Sequence, residues 1–151
     1  MNTYRMYRVS LIPGFLVLLV ALIALSGCTI KLISSYDEKT DKAVSQLQKD
    51  VETFFVTVEG QTVPECRYGN HKKFYRDAKV AISAIEVRAR AIENNEITIE
   101  QVGLMKDSLA SLEKLHKIGC LKPGQVESLR NSFNSSFTAI LKLELAKKRG
   151  K

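Results

Sequence analysis

The chain has no tryptophan, only two histidines and only three prolines among its 151 residues, and it contains no glycine-rich loop. The missing loop excludes the common phosphate-binding motifs. Glu113 and His116 have the spacing of one Glu-x-x-His motif, but a di-iron bundle needs two such motifs, so that centre is excluded as well. No serine has a histidine and an acid nearby in the pattern of a catalytic triad. We therefore expect no enzyme activity and no cofactor.

The chain also lacks an apolar run of the roughly 20 residues that a membrane-spanning helix needs. Its longest apolar run covers residues 11–25 and is interrupted only by Pro13 and Gly14. The segment before this run contains Arg5 and Arg8 and no acidic residue. A basic segment followed by a short apolar run predicts a signal peptide over residues 1–27. An uncleaved membrane anchor and an ordinary secretory signal remain as alternatives.

The apolar run ends in Leu25-Ser26-Gly27-Cys28. This tetrapeptide resembles the lipobox of bacterial lipoproteins, in which a leucine and two small residues precede an invariant cysteine. The resemblance covers residues 1–28, and it implies cleavage before Cys28 and attachment of a diacylglyceryl group, with palmitate or a related acyl chain, to its thiol. Two or more acyl chains anchor a protein stably to a membrane.

The residue after the cysteine is related to the membrane in which a lipoprotein is located. Thr29 stands where lipoproteins retained in the inner membrane commonly have aspartate. If the source is Gram-negative, the resemblance therefore implies the periplasmic face of the outer membrane. Otherwise it implies the outer face of the cytoplasmic membrane.

Cleavage at this point would leave residues 28–151, which suffice for one domain with its own core. The loss of Arg5 and Arg8 lowers the number of basic residues from 23 to 21 against 16 acidic ones, so the net charge falls from +7 to +5. A basic protein in the cytoplasm would suggest nucleic acid as a partner, and export removes that option. Membrane lipid, bound through acylated Cys28, and an envelope protein or polymer are the expected partners.

Apolar residues recur at steps of three and four in four later segments, which predicts four amphipathic helices. With short connections between them, these helices predict an all-α, up-and-down antiparallel bundle over residues 36–151, after a tether over residues 28–35. The β-branched run Val56 to Val58 is the weakest helical boundary, since it could also be extended. The predicted helices run from a Ser35/Glu38 capping box to about Glu59, from an Asn70 cap to about Glu93, from a Thr98/Gln101 capping box to Gly119, and from Pro123 to the polar tail.

The apolar stripe of each predicted helix is expected to pack in the core. The inward residues are Val44, Leu47, Val51, Phe54 and Val58 in the first helix; Phe74, Ala78, Ala81, Ile82, Ile85, Ala89 and Ile92 in the second; Val102, Met105, Leu109, Leu112 and Leu115 in the third; and Val126, Leu129, Phe133, Phe137, Ile140 and Leu141 in the fourth.

Cys66 and Cys120 remain after Cys28 is assigned to lipid. In an up-and-down bundle they lie at the same pole, opposite the tether, and an oxidising compartment predicts a disulfide between them. A second interpretation uses the only two histidines, because His71 and His116 are each within five residues of one of these cysteines. The four side chains could form a zinc or copper site. Both possibilities are open at the level of sequence.

Two surfaces are candidates for contacts outside the chain. The basic tail, with Lys147, Lys148, Arg149 and Lys151, returns to the tether pole, where it could contact anionic headgroups. At the opposite pole, Tyr68, Asn70, His71 and Tyr75 could face a partner. The stretch from Ser35 to Gly150 also resembles small helical lipoproteins of proteobacteria, a resemblance that implies no activity. The sequence favours a non-catalytic envelope lipoprotein, with a ligand- or metal-binding bundle as the alternative.

Overall fold

A computed structural model describes residues 34–150. The signal peptide, Cys28, residues 29–33 of the tether and Lys151 lie outside the described residues. In the described part of the chain, no helix is both long enough and apolar enough to cross a membrane. Residues 34–150 form four α-helices and one short 3-10 helix, Tyr68–His71; the α-helices are α1 (Glu38–Glu59), α2 (Lys72–Arg90), α3 (Glu96–Ile118) and α4 (Pro123–Arg149).

The four helices pack as an up-and-down bundle. Each helix contacts the next one in the chain, and α4 returns to contact α1, so that the helices enclose one core. Side chains at one end join the start of α1 to the end of α2, since an Arg88 Nη atom donates to Asp37 Oδ1 at 2.6 Å. At the other end, Arg130 near the start of α4 forms ion pairs with Glu52 and Glu59 of α1. These pairs confirm the antiparallel order predicted from the sequence.

Helix periodicity placed most of the core correctly. The residues that pack together in the buried cluster include those of the predicted stripes of α1, α3 and α4, apart from the partly buried Leu115 and Leu141. In α2 the buried stripe includes Tyr75, which is 1 % exposed, while Phe74 and Ala81 are partly buried. The β-branched run Val56 to Val58 is helical, and α1 ends at Glu59 as predicted.

The structure corrects the predicted start of α1. Ser35 is exposed, and the N-cap is Asp37, whose Oδ2 accepts a hydrogen bond from the backbone N–H of Thr40 at 3.0 Å. The same carboxylate is bound by Arg88, which holds its pKa well below the usual range. An ionised cap that also accepts hydrogen bonds from an arginine stabilises the start of a helix more than an isolated serine hydroxyl does. The helix therefore begins at Glu38.

The predicted start and end of α2 and the predicted start of α3 are also corrected, whereas α3 ends at Ile118 before Gly119 as predicted. Asn70 lies in the 3-10 helix, α2 ends at Arg90 rather than near Glu93, and Asn94 adopts a left-handed conformation with a φ of 56°. Asparagine tolerates this conformation better than most residues, which allows the tight turn into α3. Thr98 does not cap α3: it lies within the helix, fully buried, and its hydroxyl has no hydrogen-bond partner among the described residues.

A polar network closes the N-terminal pole, by which we mean residues 34–37 together with the end of α2, the start of α3 and the end of α4. Lys147 Nζ donates to Glu144 Oε1 at 2.6 Å and to Asn95 Oδ1 at 2.9 Å. Glu144 Oε2 accepts from the backbone N–H of Asp37, and the Ser34 hydroxyl donates to Asn95. This network fixes the first described residues against three helices.

The burial of Lys147 corrects the predicted role of the basic tail. Its side chain is 3 % exposed and that of Glu144 is 1 % exposed, so this lysine is a structural residue that cannot reach a membrane surface. Lys148 and Arg149 are exposed at the same pole, and Lys148 Nζ lies 5.3 Å from the centre of the Tyr36 ring. Only these two of the predicted contact residues are available there within residues 34–150.

Candidate functional site at the disulfide pole

The opposite end of the bundle is held by a disulfide between Cys66 and Cys120, with 5.4 Å between their Cα atoms. This bond confirms the predicted pairing. It joins the connection before α2 to the turn after α3. We call this end the disulfide pole, which comprises residues 60–71, the last turn of α3 and residues 119–122.

The segment between α1 and α2 is an ordered loop. It contains the cis peptide bond Val63–Pro64, and the Asn70 side-chain amide donates to the carbonyls of Pro64 and Glu65 at 3.0 and 3.2 Å. His71 Nε2 lies 2.9 Å from Gln61 Oε1. Asn70 and His71, which the sequence suggested as partner-facing residues, therefore stabilise the loop internally.

His116 is the buried centre of this pole, with 1 % of its surface exposed. Its Nε2 lies 2.7 Å from the carbonyl oxygen of Cys66, and its Nδ1 lies 2.7 Å from the hydroxyl of Tyr75. A carbonyl can only accept, so Nε2 carries a proton and donates to Cys66. Burial lowers the pKa of His116 and favours the neutral imidazole, in which Nδ1 accepts from the Tyr75 hydroxyl. The imidazole connects α2, α3 and the disulfide loop.

Tyr75 was expected to face a partner, and the structure corrects this as well. Its ring is almost fully buried, and the rings of Phe74 and His116 lie 5.1 and 5.7 Å away. Phe54 of α1 stacks on Phe74 at a centroid distance of 4.0 Å. Tyr75 therefore belongs to an aromatic cluster that supports the pole from inside, and it cannot contact a partner at the surface.

Tyr68, in contrast, remains at the surface of the pole. Its hydroxyl donates to Glu113 Oε1 at 2.8 Å, while Lys79 Nζ donates to Glu113 Oε2 at 2.6 Å. Lys117 Nζ is 3.2 Å from the same carboxylate and 5.1 Å from the centre of the Tyr68 ring. These cations, Lys79 foremost, lower the pKa of Glu113 to about 2. Glu113 is therefore ionised and fully engaged in positioning Tyr68 and Lys117.

The two cysteines and two histidines do not form the metal site that the sequence suggested. Both cysteines are in the disulfide, both ring nitrogens of His116 are hydrogen-bonded, and the rings of His71 and His116 are 5.4 Å apart. Across residues 34–150 there is no group of three or more histidine, cysteine, aspartate or glutamate side chains placed to hold a metal ion. The disulfide occupies both cysteine sulfurs, and hydrogen bonds occupy both ring nitrogens of His116. Three of the four proposed metal ligands are therefore engaged within the chain.

A cleft of about 540 Å³ opens at the surface of this pole. Its rim includes the apolar side chains of Val63 and Ile118, which are 60 % and 81 % exposed. Arg67 and Lys117 supply positive charge, and Tyr68 supplies a ring; Gly69, His116, Gly119 and Cys120 complete the lining.

Sequence reasoning missed Val63, Arg67, Lys117 and Ile118 as surface-site residues. The predicted disulfide was the available signal, because pairing Cys66 with Cys120 brings the residues beside each cysteine together. Their exposure depends on the loop conformation and on the end of α3, which apolar periodicity does not specify.

Comparison with known proteins gives no further guide to this cleft. The chain matches no protein-family model, no curated protein and no solved structure.

The burial of His116 predicts a stability loss in mild acid. Its folded-state pKa is lowered, so the unfolded chain binds a proton first as the pH falls. The contribution of neutral His116 to the free energy of unfolding should be fully present above the ordinary histidine pKa of about 6.5. It should decline as the pH falls toward the folded-state pKa. We expect the urea midpoint to fall between about pH 7.5 and about pH 5.5.

Two variants test the source of this decline. In His116→Gln the midpoint should be lower overall but should change less over the same pH interval. In His71→Gln, the matched control at the other histidine, the decline should persist. An equal decline in the wild type and in His116→Gln would assign the pH dependence to other groups.

Proposed function

We propose that this protein is a bacterial envelope lipoprotein, anchored by lipid on Cys28, whose helical bundle is a non-catalytic interaction domain. The observation that carries the proposal is the Leu25-Ser26-Gly27-Cys28 tetrapeptide directly after the apolar run of residues 11–25. The disulfide is a second support, because structural disulfides persist in exported proteins and are rare in the cytoplasm.

The geometry of the bundle is compatible with an anchor at this cysteine. Six residues, 28–33, separate the start of the proposed mature chain from Ser34. At full extension they span about 20 Å, so a lipid on Cys28 would hold the N-terminal pole near the membrane. The exposed Lys148 and Arg149 lie at that pole, where anionic headgroups would attract them.

The disulfide pole would then face away from the membrane. The 22 residues of α1 extend about 33 Å at 1.5 Å per residue, which separates the two ends of the bundle. A binding surface on a stable scaffold usually lies on its loops. The disulfide pole carries the cleft with the exposed Val63 and Ile118, so we assign the interaction surface to that end.

The location follows from the same proposal. Because Thr29 follows the cysteine, we propose the periplasmic face of the outer membrane for a Gram-negative source and the outer face of the cytoplasmic membrane otherwise. The expected partner is an envelope protein or polymer, in addition to the membrane lipid that holds Cys28.

Metabolic labelling with palmitate tests the anchor. The wild-type chain should incorporate label and fractionate with membranes, whereas Cys28→Ala should lose the label because the acceptor thiol is absent. The double variant Cys66→Ala/Cys120→Ala, which keeps Cys28, is the control and should label like the wild type. Label retained in Cys28→Ala, or lost only in the double variant, would contradict the proposal.

A further inference from the structure

We propose that the cleft at the disulfide pole binds an acidic polypeptide segment that carries apolar side chains between its carboxylates. This inference rests on the proposed interaction function and specifies the chemistry of the partner. It assigns the Val63 and Ile118 side chains to apolar contacts and Arg67 to a carboxylate of the partner, while Lys117, which is paired with Glu113, adds positive charge beside them.

The cleft carries two exposed, bulky apolar side chains. Ile118 is 81 % exposed, the largest value for a bulky apolar side chain in residues 34–150, and Val63 is 60 % exposed. Both line one cleft, so they form a local patch and are not scattered singly. Apolar side chains grouped at a concave surface are typical of contact sites for other proteins.

The charge of the disulfide pole indicates the sign of the charge that a partner should carry. The pole and the helix turns beside it, residues 60–72 and 113–125, contain five basic residues and two acidic ones. One of the two acids, Glu113, is already bound by Lys79, Lys117 and Tyr68. The other, Glu65, is exposed. The field at the cleft is therefore positive, which attracts acidic partners and accelerates their association.

Arg67 is the specific anion-binding group. Its side chain is exposed and lines the cleft, and within the described residues its guanidinium has no hydrogen bond or ion pair. A guanidinium presents paired N–H donors that match the two oxygens of a carboxylate. Arg88 and Arg130, in contrast, are already engaged by carboxylates within the chain.

The backbone of the cleft is fixed before any partner arrives. The disulfide joins its two walls, His116 donates to the carbonyl of Cys66, and Asn70 donates to two carbonyls of the loop. A site held in this way loses little conformational entropy on binding, which favours a short segment as ligand.

A polypeptide fits these residues better than an anionic polysaccharide does. A polysaccharide would satisfy Arg67 and Lys117 but would offer mainly hydroxyl groups to Ile118 and Val63, leaving the apolar contacts unused. A peptide supplies carboxylates and apolar side chains at the spacing of successive residues, and both kinds of group in the cleft are then used.

Direct binding of defined probes tests this proposal. Full-length protein in non-ionic detergent is titrated with a labelled short peptide that alternates glutamate with leucine. Three comparison probes are a peptide with serine in place of leucine, a peptide with lysine in place of glutamate, and dextran sulfate. We expect the glutamate–leucine peptide to bind at least about tenfold more tightly than either altered peptide. Equal affinity for the three peptides, or binding to dextran sulfate alone, would overturn the proposal, the latter outcome indicating a polymer site.

Matched variants locate the binding at the cleft. Arg67→Gln and Ile118→Ser should each weaken binding of the glutamate–leucine peptide by about tenfold. Arg90→Gln and Ile97→Ser make the same changes at exposed positions away from the cleft and should leave binding unchanged. An equal loss in all four variants, or in none of them, would contradict the assigned site.

This test is separable from the test of the anchor. Cys28→Ala should bind the peptide as the wild type does, since the cysteine is not part of the cleft. Loss of palmitate label only in Cys28→Ala, combined with no peptide binding by the wild type, would leave the anchor standing and remove the binding proposal. Peptide binding by a wild-type chain that incorporates no palmitate label would remove the anchor proposal and leave the binding proposal standing.

Discussion

We expect Lys147→Met to lower the free energy of unfolding by about 3 kcal/mol, one of the two largest single effects in this molecule. The substitution removes the cation that pairs with Glu144, whose side chain is only 1 % exposed. It leaves a buried carboxylate without its charge partner, and it also removes a donor from Asn95 Oδ1. Denaturant unfolding of the purified protein, followed by circular dichroism, measures the change.

Two further variants separate burial from charge. Lys142→Met changes an exposed lysine of the same helix and should alter stability by less than about 0.5 kcal/mol. Adding Glu144→Gln to Lys147→Met removes the stranded charge and keeps an oxygen for the Asp37 N–H, so it should recover part of the loss. A Lys147→Met protein as stable as Lys142→Met would show that this pair does not hold the N-terminal pole.

Loss of the disulfide should have an effect of similar size. The bond closes a loop with a sequence separation of 54. In the chain-entropy model a loop of this length stabilises the folded state by about 4 kcal/mol, because it restricts the unfolded chain. We expect the Cys66→Ala/Cys120→Ala variant to lose about that amount in denaturant unfolding.

Reduction provides the control for this prediction. Dithiothreitol should destabilise the wild type and should not change the unfolding curve of the double variant, since that variant has no bond to reduce. A difference of less than about 1 kcal/mol between oxidised wild type and double variant would mean that loop closure contributes little to stability.

The helices could be predicted because the residue pattern that specifies each helix lies within that helix. Apolar steps of three and four specify which face of each helix is buried, and only a bundle buries four such faces at once. The end of α1 at Glu59 and the start of α4 at Pro123 agree with prediction. At Pro123 the reason is direct, because the first position of a helix does not need the N–H that proline lacks. The disulfide followed from topology, since an up-and-down order brings Cys66 and Cys120 to one pole.

The caps were mispredicted because contacts between helices override short-range motifs. Ser35 and Glu38 have capping-box spacing, but Asp37 takes the cap together with Arg88, which is 51 residues away. Asn70 also has the residue type of a cap, but its amide donates to the loop carbonyls of Pro64 and Glu65. Thr98 is buried within α3, and its hydroxyl has no partner among the described residues. No local window around α1 contains Arg88.

The burial of Lys147 and Tyr75 shows a second limit. A lysine near the end of a basic helix is typically solvated, and its distant partner Asn95 cannot be inferred from the sequence around it. Glu144, three residues earlier, was the one local hint, because residues at that spacing face each other on a helix. Tyr75 is buried because it continues the stripe of α2, whose other buried residues were predicted: Ala78, Ile82, Ile85 and Ala89. Tyr75 and Phe74 lie three and four residues before Ala78, and apolar periodicity alone does not choose between two aromatic residues at these spacings.

The N-terminus of the protein purified from membranes of its host tests the account most directly. Intact-mass analysis with fragmentation of the N-terminal peptide identifies the first residue and any group bound to it. We expect a chain that begins at Cys28 and carries a diacylglyceryl group on its sulfur. A chain that retains residues 1–27, or one that begins elsewhere with an unmodified N-terminus, would contradict this expectation.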